Sequence, residues 1–364
     1  MAAKRFQGLD GLRGVCALCV LLFHADDLFH QGPIVQHGYL AVDMFFLLSG
    51  FVIAFVHQEP LQRGCGLLSF LRARARRLLP VYWLGAVFSL AIFIWMASSG
   101  YSPIAYSWAA IWIVIPVATL FMLPAYGTAG NSFSPAMTSV TWSLLVEWLV
   151  NIAYGAGLFR CRTRTLATLA IAGWLAMAVA GYFTGKGWCV GMNRYDFISY
   201  GILRGAPSFL AGVVLCRLHA RGWFTRLPAV APEILLTLWL CIAVVPTFSA
   251  TPTFDWITVT IFCPALVALL LRAEDKAPAY FRRLGDISYP LYVTHPGILA
   301  LAQLTPLFDL NRRPDPLRAL AVIVLCVGVA ALTAMLGTTL TRWWPKASTN
   351  KSGLCYAAIH ETNA

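Results

Sequence analysis

Apolar residues in this chain come in runs of about twenty, separated by short segments that hold most of the charge. A run of that length matches the roughly 20 residues a helix needs to cross a bilayer core at about 1.5 Å per residue. The runs fall near Leu9–Phe29, Gly38–His57, Leu78–Met96, Thr141–Phe159, Thr165–Thr184, Tyr200–His219, Ala231–Val245, Trp256–Leu271, Ile287–Leu307 and Leu317–Leu340. The expected fold is therefore all-α, a polytopic membrane helical bundle of about ten transmembrane helices. One further run, Ile104–Leu123, is long enough to span, but Pro103 and Pro124 bracket it and Pro116 interrupts it.

Loop charge decides how that run is placed. With Lys4 and Arg5 cytosolic, ten crossings put the basic clusters Arg63–Arg77, Arg160–Arg164, Arg217–Arg226 and Arg272–Arg283, together with Arg342 and Lys346, in the cytosol. The outer loops then keep chiefly Lys186, Arg194, Arg312 and Arg313, which satisfies the positive-inside rule. An eleventh crossing inverts the second half and breaks the rule. Ile104–Leu123 is therefore expected to be re-entrant, interfacial or docked on the bundle. Both termini are expected in the cytosol, in a multi-pass cell-membrane protein (the inner membrane in a bacterium), with one membrane domain over residues 1–345 and a short tail over 346–364. The first run continues past Phe23 without a small-residue cleavage site, so it is expected to stay as a span.

Composition supports the same picture: 59% of residues are hydrophobic, 12% are charged and the mean hydropathy is +0.71. Soluble domains hold roughly 45 to 50% apolar residues. The net charge of +12 is dispersed in loop clusters suited to anionic lipid, so nucleic acid is not an expected partner. Ten cysteines are scattered, mostly inside the runs; even the closely spaced Cys16 and Cys19 are expected to be small core residues, with no metal bound.

Against this background two residues of the first run stand out. Arg13 and His24 are eleven apart, which at about 100° per residue returns them nearly to one helix face, roughly 16 Å apart along the axis. Ionisable groups in hydrocarbon cost about 2.5 to 3.5 kcal/mol even on the lenient insertion scale, so such a face is expected to line a protein interior or a wet cavity.

The motifs add to this pair. Phe45-Phe46-Leu47-Leu48-Ser49-Gly50-Phe51 lies in the second run, Arg74 and Arg77 precede Pro80 at three-residue spacing, Ser143 to Glu147 lies in the fourth, and Leu284 to His295 holds Ser288, Tyr289, Tyr292 and His295. In that order, and with Arg13 and His24 ahead of them, they give the chain a resemblance, over nearly its whole length, to the acyltransferase-3 family of integral membrane acyltransferases. The resemblance implies transfer of an acyl group, usually acetyl, from cytosolic acyl-CoA to a hydroxyl of a carbohydrate or related acceptor. Acyl-CoA is then a co-substrate and no cofactor is permanently bound; the partners are acyl-CoA, a carbohydrate or glycolipid acceptor and the bilayer. Many members carry a further periplasmic esterase-like domain; none is expected here, so the membrane domain acts alone or hands the acyl group on.

The residue chemistry fits that account. A sugar hydroxyl is a poor nucleophile near neutral pH, and a histidine suits it as general base, a role assigned to His24. Arginine forks suit phosphate, and Arg74 and Arg77, with Pro80 in the first turn of the third span, are expected to meet the anionic end of the donor; Arg72 and Arg76 read as ordinary loop cations. Arg13 meets donor phosphate or pairs with an acid, Asp43 and Glu147 first, Asp10 and Asp26 second. Glu147 either orients His24, as a carboxylate does for a catalytic imidazole, or neutralises an arginine. Ser49 and Gly50 allow close approach, Phe45 and Phe46 pack, and Tyr289, Tyr292 and His295 line an acceptor cavity. His30, His37, His57 and His219 receive no role. The competing class is a transporter or flippase whose buried polar residues bind and move a substrate; no internal repeat supports it.

Overall fold

The computed structural model describes residues 5–25, 35–99, 110–122, 138–184, 188, 197–246, 252–304 and 316–343. Every regular element among the described residues is helical. In chain order they are α1 (Gln7–His24), α2 (Ala41–Gln62), α3 (Leu67–Ser98), α4 (Ile115–Leu120), α5 (Thr138–Ala156), α6 (Thr163–Thr184), α7 (Phe197–Ala220), α8 (Pro232–Val244), α9 (Pro252–Ile257), α10 (Cys263–Arg272), α11 (Tyr280–Leu304) and α12 (Pro316–Trp343). A π-helical turn, Thr258–Phe262, joins α9 to α10. Six helical stretches are long and apolar enough to cross a membrane by themselves: Gly38–Gln62, Leu67–Trp95, Thr163–Phe183, Tyr200–Ala220, Pro252–Arg272 and Pro316–Gly337. The chain is thus an all-α multi-pass bundle, as expected. The outer faces of α6 and α12 expose Leu169, Ile171, Leu175 and Val179, and Leu317, Leu320, Val324 and Leu332, as helices facing lipid do. The tail 346–364, Asp26, His30 and the loops with Lys186, Arg194, Arg312 and Arg313 lie outside the described residues.

Two helix pairs make the centre, α1 along α11 and α2 along α7. Small residues let the second pair close. A Cβ on Gly50 would stand 1.9 Å from the Phe209 carbonyl oxygen, and one on Gly212 would stand 2.0 Å from that of Leu47. Only glycine fits at either point, so the close approach expected of Gly50 is reciprocal between α2 and α7. The start of α1 is fixed polar group by polar group. The Glu274 carboxylate accepts the free N–H groups of Gln7 and Gly8, while Arg5 bonds Asp10 and, at 2.6 Å, Asp286 on α11.

Two expectations about the third span change. Helix α3 begins at Leu67, so Arg72 to Arg77 lie inside it and not in a loop before it, and Pro80 lies deep in the helix and not in its first turn. The helix runs through a proline that frees one carbonyl, as membrane helices packed among neighbours can. The described part of the proline-rich run, 110–122, is a π-helical turn followed by the short helix α4, docked on α3 by Tyr82 donating to the Thr119 carbonyl and Trp83 to that of Leu120. Seven described cysteines are free, whereas Cys65 is held in a disulfide, contrary to its reading as a core thiol.

Candidate active site

Arg13 of α1, Ser49 of α2, Arg74 and Arg77 of α3, Ser143 and Glu147 of α5, and Ser288, Tyr289 and Tyr292 of α11 face one cavity of about 100 Å³. Phe45 and Phe46 complete its apolar wall. Arg74 is nearly sealed, with a side chain 6% exposed, and gives its Nη2 to Glu147 Oε1 at 2.9 Å. The same carboxylate oxygen accepts the Ser49 hydroxyl at 2.9 Å. Arg13 has a longer pairing, 3.8 Å to Asp10, which Arg5 already shares. Arg77 lines the cavity with no ion pair among the described residues. Three guanidiniums thus meet two carboxylates, and the cavity keeps a positive surplus suited to an anion.

His24 ends α1, on the far side of Tyr292 from the arginines. The Tyr292 ring lies 5.5 Å from Phe45 on the cavity wall and 6.2 Å from His295, and His24 Nδ1 stands 3.0 Å from His295 Nε2. The hydrogen bonds fix the tautomers of the neutral pair. His295 Nδ1 lies 2.9 Å from the Leu291 carbonyl, which can only accept, so Nδ1 carries the proton and Nε2 is bare. His24 Nδ1–H must then donate to that bare nitrogen, which leaves His24 Nε2 as an acceptor.

A second charged cluster lies in the half of the bundle that holds His24, and it is closed. Arg204 grips Asp43 through Nε at 3.0 Å and Nη2 at 2.7 Å, Trp188 donates to the same carboxylate at 3.1 Å, and Arg204 also bonds the Tyr39 carbonyl. Beside it the Tyr39 hydroxyl donates to Asp255 at 2.8 Å, and buried His37 lies 3.4 Å from that carboxylate.

The site residues expected from sequence thus separate into groups. Arg13, Arg74, Arg77, Glu147, Phe45, Phe46, Ser49, Tyr289 and Tyr292 share the cavity. His24 and His295 pair beyond it. Two placements are corrected. Glu147 takes the arginine option and not the imidazole, because Arg74 occupies it while His24 is met by a second histidine. Asp43 neither pairs with Arg13 nor lines the cavity, because Arg204 claims both its oxygens; Arg13 turns to Asp10 instead. Gly50 is a helix contact.

A family profile described as an acyltransferase domain, Acyl_transf_3, matches residues 6–335. The chain belongs to the acyltransferase-3 family. The matched range takes in both the cavity and the histidine pair. Three relatives can be set beside it. Protein 2 in the picA locus of Rhizobium radiobacter is 35% identical over 187 residues, 50% of this chain and 97% of that protein. The exopolysaccharide production protein ExoZ of Rhizobium meliloti is 26% identical over 286 residues, covering 76% of this chain and 80% of its own. BcsY of Komagataeibacter xylinus, named as a membrane-bound transacylase, is 25% identical over 315 residues, covering 81% and 74%. No solved structure matches significantly.

Sequence reasoning passed over Arg204, Trp188, Tyr39, His37 and Asp255. One signal was present: Arg204 sits within an apolar run, and an arginine there needs a carboxylate mate. Nothing in the sequence joined it to Asp43, 161 positions away.

Proposed function

We propose that this acyltransferase moves an acyl group, acetyl in the first instance, from acyl-CoA to a hydroxyl of a carbohydrate or polysaccharide acceptor, with His24 as general base and the arginine end of the bundle facing the cytosol. The observation that carries the reading is the His24–His295 hydrogen bond, which leaves His24 Nε2 bare. In this reading Nε2 takes the proton of the acceptor hydroxyl as its oxygen attacks the thioester carbonyl. The C–S bond then breaks, and the imidazolium returns the proton to the departing thiolate. His295 Nε2 holds the His24 ring in one tautomer and stabilises the charge it gains, the part a carboxylate plays elsewhere.

Arg13, Arg74 and Arg77 would receive the phosphates of the donor, with Arg77 the fork free to bind and Glu147 holding Arg74 in place. The surplus of basic residues at that end, together with the positive-inside rule, supports the cytosolic orientation. ExoZ, an exopolysaccharide production protein by name, supports the acceptor class.

Transfer from labelled acetyl-CoA in membranes tests this. We expect His24→Ala to lower transfer by about 10²- to 10⁴-fold, the usual worth of a general base, and His295→Ala by less. Label reaching the acceptor undiminished in His24→Ala overturns the assignment.

A further inference from the structure

Among the described residues, the cavity lining stops short of the histidine pair. Tyr292 and Phe45 belong to the cavity wall, yet His24 and His295 do not line it. Tyr292 meets Phe45 edge to face, at 74°, and turns toward His295 at 60°. Between the three guanidiniums and the bare nitrogen of His24 thus stands an aromatic pair contributed by α2 and α11.

One of the two rings is latched. Ser143 donates its own proton to the Val140 carbonyl at 2.8 Å, so at 2.6 Å its oxygen must accept from the Tyr292 hydroxyl. The tyrosine is therefore tied to α5 by a bond that uses its only proton, while Phe45 has no polar tie and is partly exposed to the cavity.

We infer that Phe45 and Tyr292 form a partition that selects the acyl group by its size and keeps water from the thioester. The inference rests on the reading of the arginine cavity as the donor site. An acyl group is the tip of its donor, so when the phosphates are held at the arginines it is the acyl group that must pass or lodge between these rings to bring its carbonyl to the acceptor oxygen at His24. Tyr292 is the fixed jaw and Phe45 the one that turns. A group no larger than acetyl displaces Phe45 least, and each further methylene must find room in a packed layer, where overpacking costs about 1 to 3 kcal/mol. The partition also keeps any water at the partly exposed His24 away from the thioester, where it would split acyl-CoA into free acid and thiol without an acceptor.

The test measures transfer from acetyl-, propionyl- and butyryl-CoA and acceptor-free thioester hydrolysis in Phe45→Ala, Phe45→Leu and Tyr292→Phe membranes. We expect Phe45→Ala to raise the butyryl-to-acetyl rate ratio at least about tenfold, the equivalent of one overpacked methylene, and to raise hydrolysis relative to transfer. Phe45→Leu, which keeps an apolar but shorter side chain, should fold where alanine fails and move both ratios in the same direction. Tyr292→Phe, which removes only the latch, should do so less. Ratios that stay at the native value in folded Phe45 variants overturn the partition while leaving the donor site intact. A native protein that uses no acyl-CoA overturns both.

Discussion

Two arginine–carboxylate centres lie in this bundle, and they differ in how completely they are closed. At Asp43 and Arg204 the charges are one to one, the side chains are 0% and 2% exposed, the fork is bidentate, and Trp188 and the Tyr39 carbonyl take up further hydrogen-bonding capacity. At the cavity three arginines meet two carboxylates, Arg13 reaches its acid only at 3.8 Å, and Arg77 has no ion pair among the described residues. Both satisfy the rule that intramembrane charge is costly and kept for a reason, but the reasons differ. A neutral, saturated pair has nothing left to offer a ligand and joins α2 to α7. An unbalanced set beside a cavity keeps net positive charge, which is what supports the proposed donor site.

The largest effect should follow from breaking the closed centre. Asp43→Asn leaves a buried guanidinium without its counter-charge, which costs about 3 to 5 kcal/mol, and we expect a lower yield of folded protein and a lower unfolding temperature in detergent. The double variant Asp43→Leu, Arg204→Met removes both charges and should recover much of that loss, since a buried pair exchanged for well-packed apolar residues is often neutral. If the single variant unfolds no earlier than the native protein, the pair is not architectural.

The open centre should respond the other way. Arg77→Gln removes a cation that has no ion pair, so the unfolding temperature of the ligand-free protein should not fall. KM for acyl-CoA should rise roughly 10- to 100-fold, because a hydrogen bond to a charged group is worth about 1.5 to 3 kcal/mol. Arg77→Lys should keep part of the affinity, since it retains the charge but loses the fork. A fall in stability with KM unchanged would make the two centres alike and remove the basis for reading the cavity as a donor site.

What the sequence disclosed divides along the same line. Apolar run length made the helices legible, and the charge of the loops made the run around Pro116 suspect, because both signals are local in the chain. Arg13 and Glu147 could be singled out because a charge in an apolar run is conspicuous wherever it points, and Arg74 and Arg77 because their three-residue spacing ahead of Pro80 forms a motif within an otherwise ordinary basic cluster. Pairing was not legible. Asp43 could have served Arg13 or Arg204, and Glu147 could have served Arg74 or His24; the choice is made by the close packing of α2 on α7 at Gly50 and Gly212 and by the packing of α1 on α11, which no periodicity reports. His295 shows this best. Its place on a motif was visible, but its bond to His24, across 271 residues, belongs to the packing of two helices.

The smallest effect expected is at Ser49, and it defines where support ends and chemistry begins. Its hydroxyl donates to the Glu147 oxygen that also receives Arg74, both at 2.9 Å, so it fixes the carboxylate that fixes the arginine. Ser49→Ala removes one of two bonds to that oxygen at the edge of a cavity, where water can replace the lost donor. The cost should be about 0.5 to 1.5 kcal/mol, and KM for acyl-CoA should rise by no more than about tenfold with kcat almost unchanged. Transfer assays across donor concentration separate the two constants. A collapse of kcat in Ser49→Ala to the level of His24→Ala would put the serine among the reacting groups, and the arginine cavity would then be a place of chemistry and not only the grip on the donor.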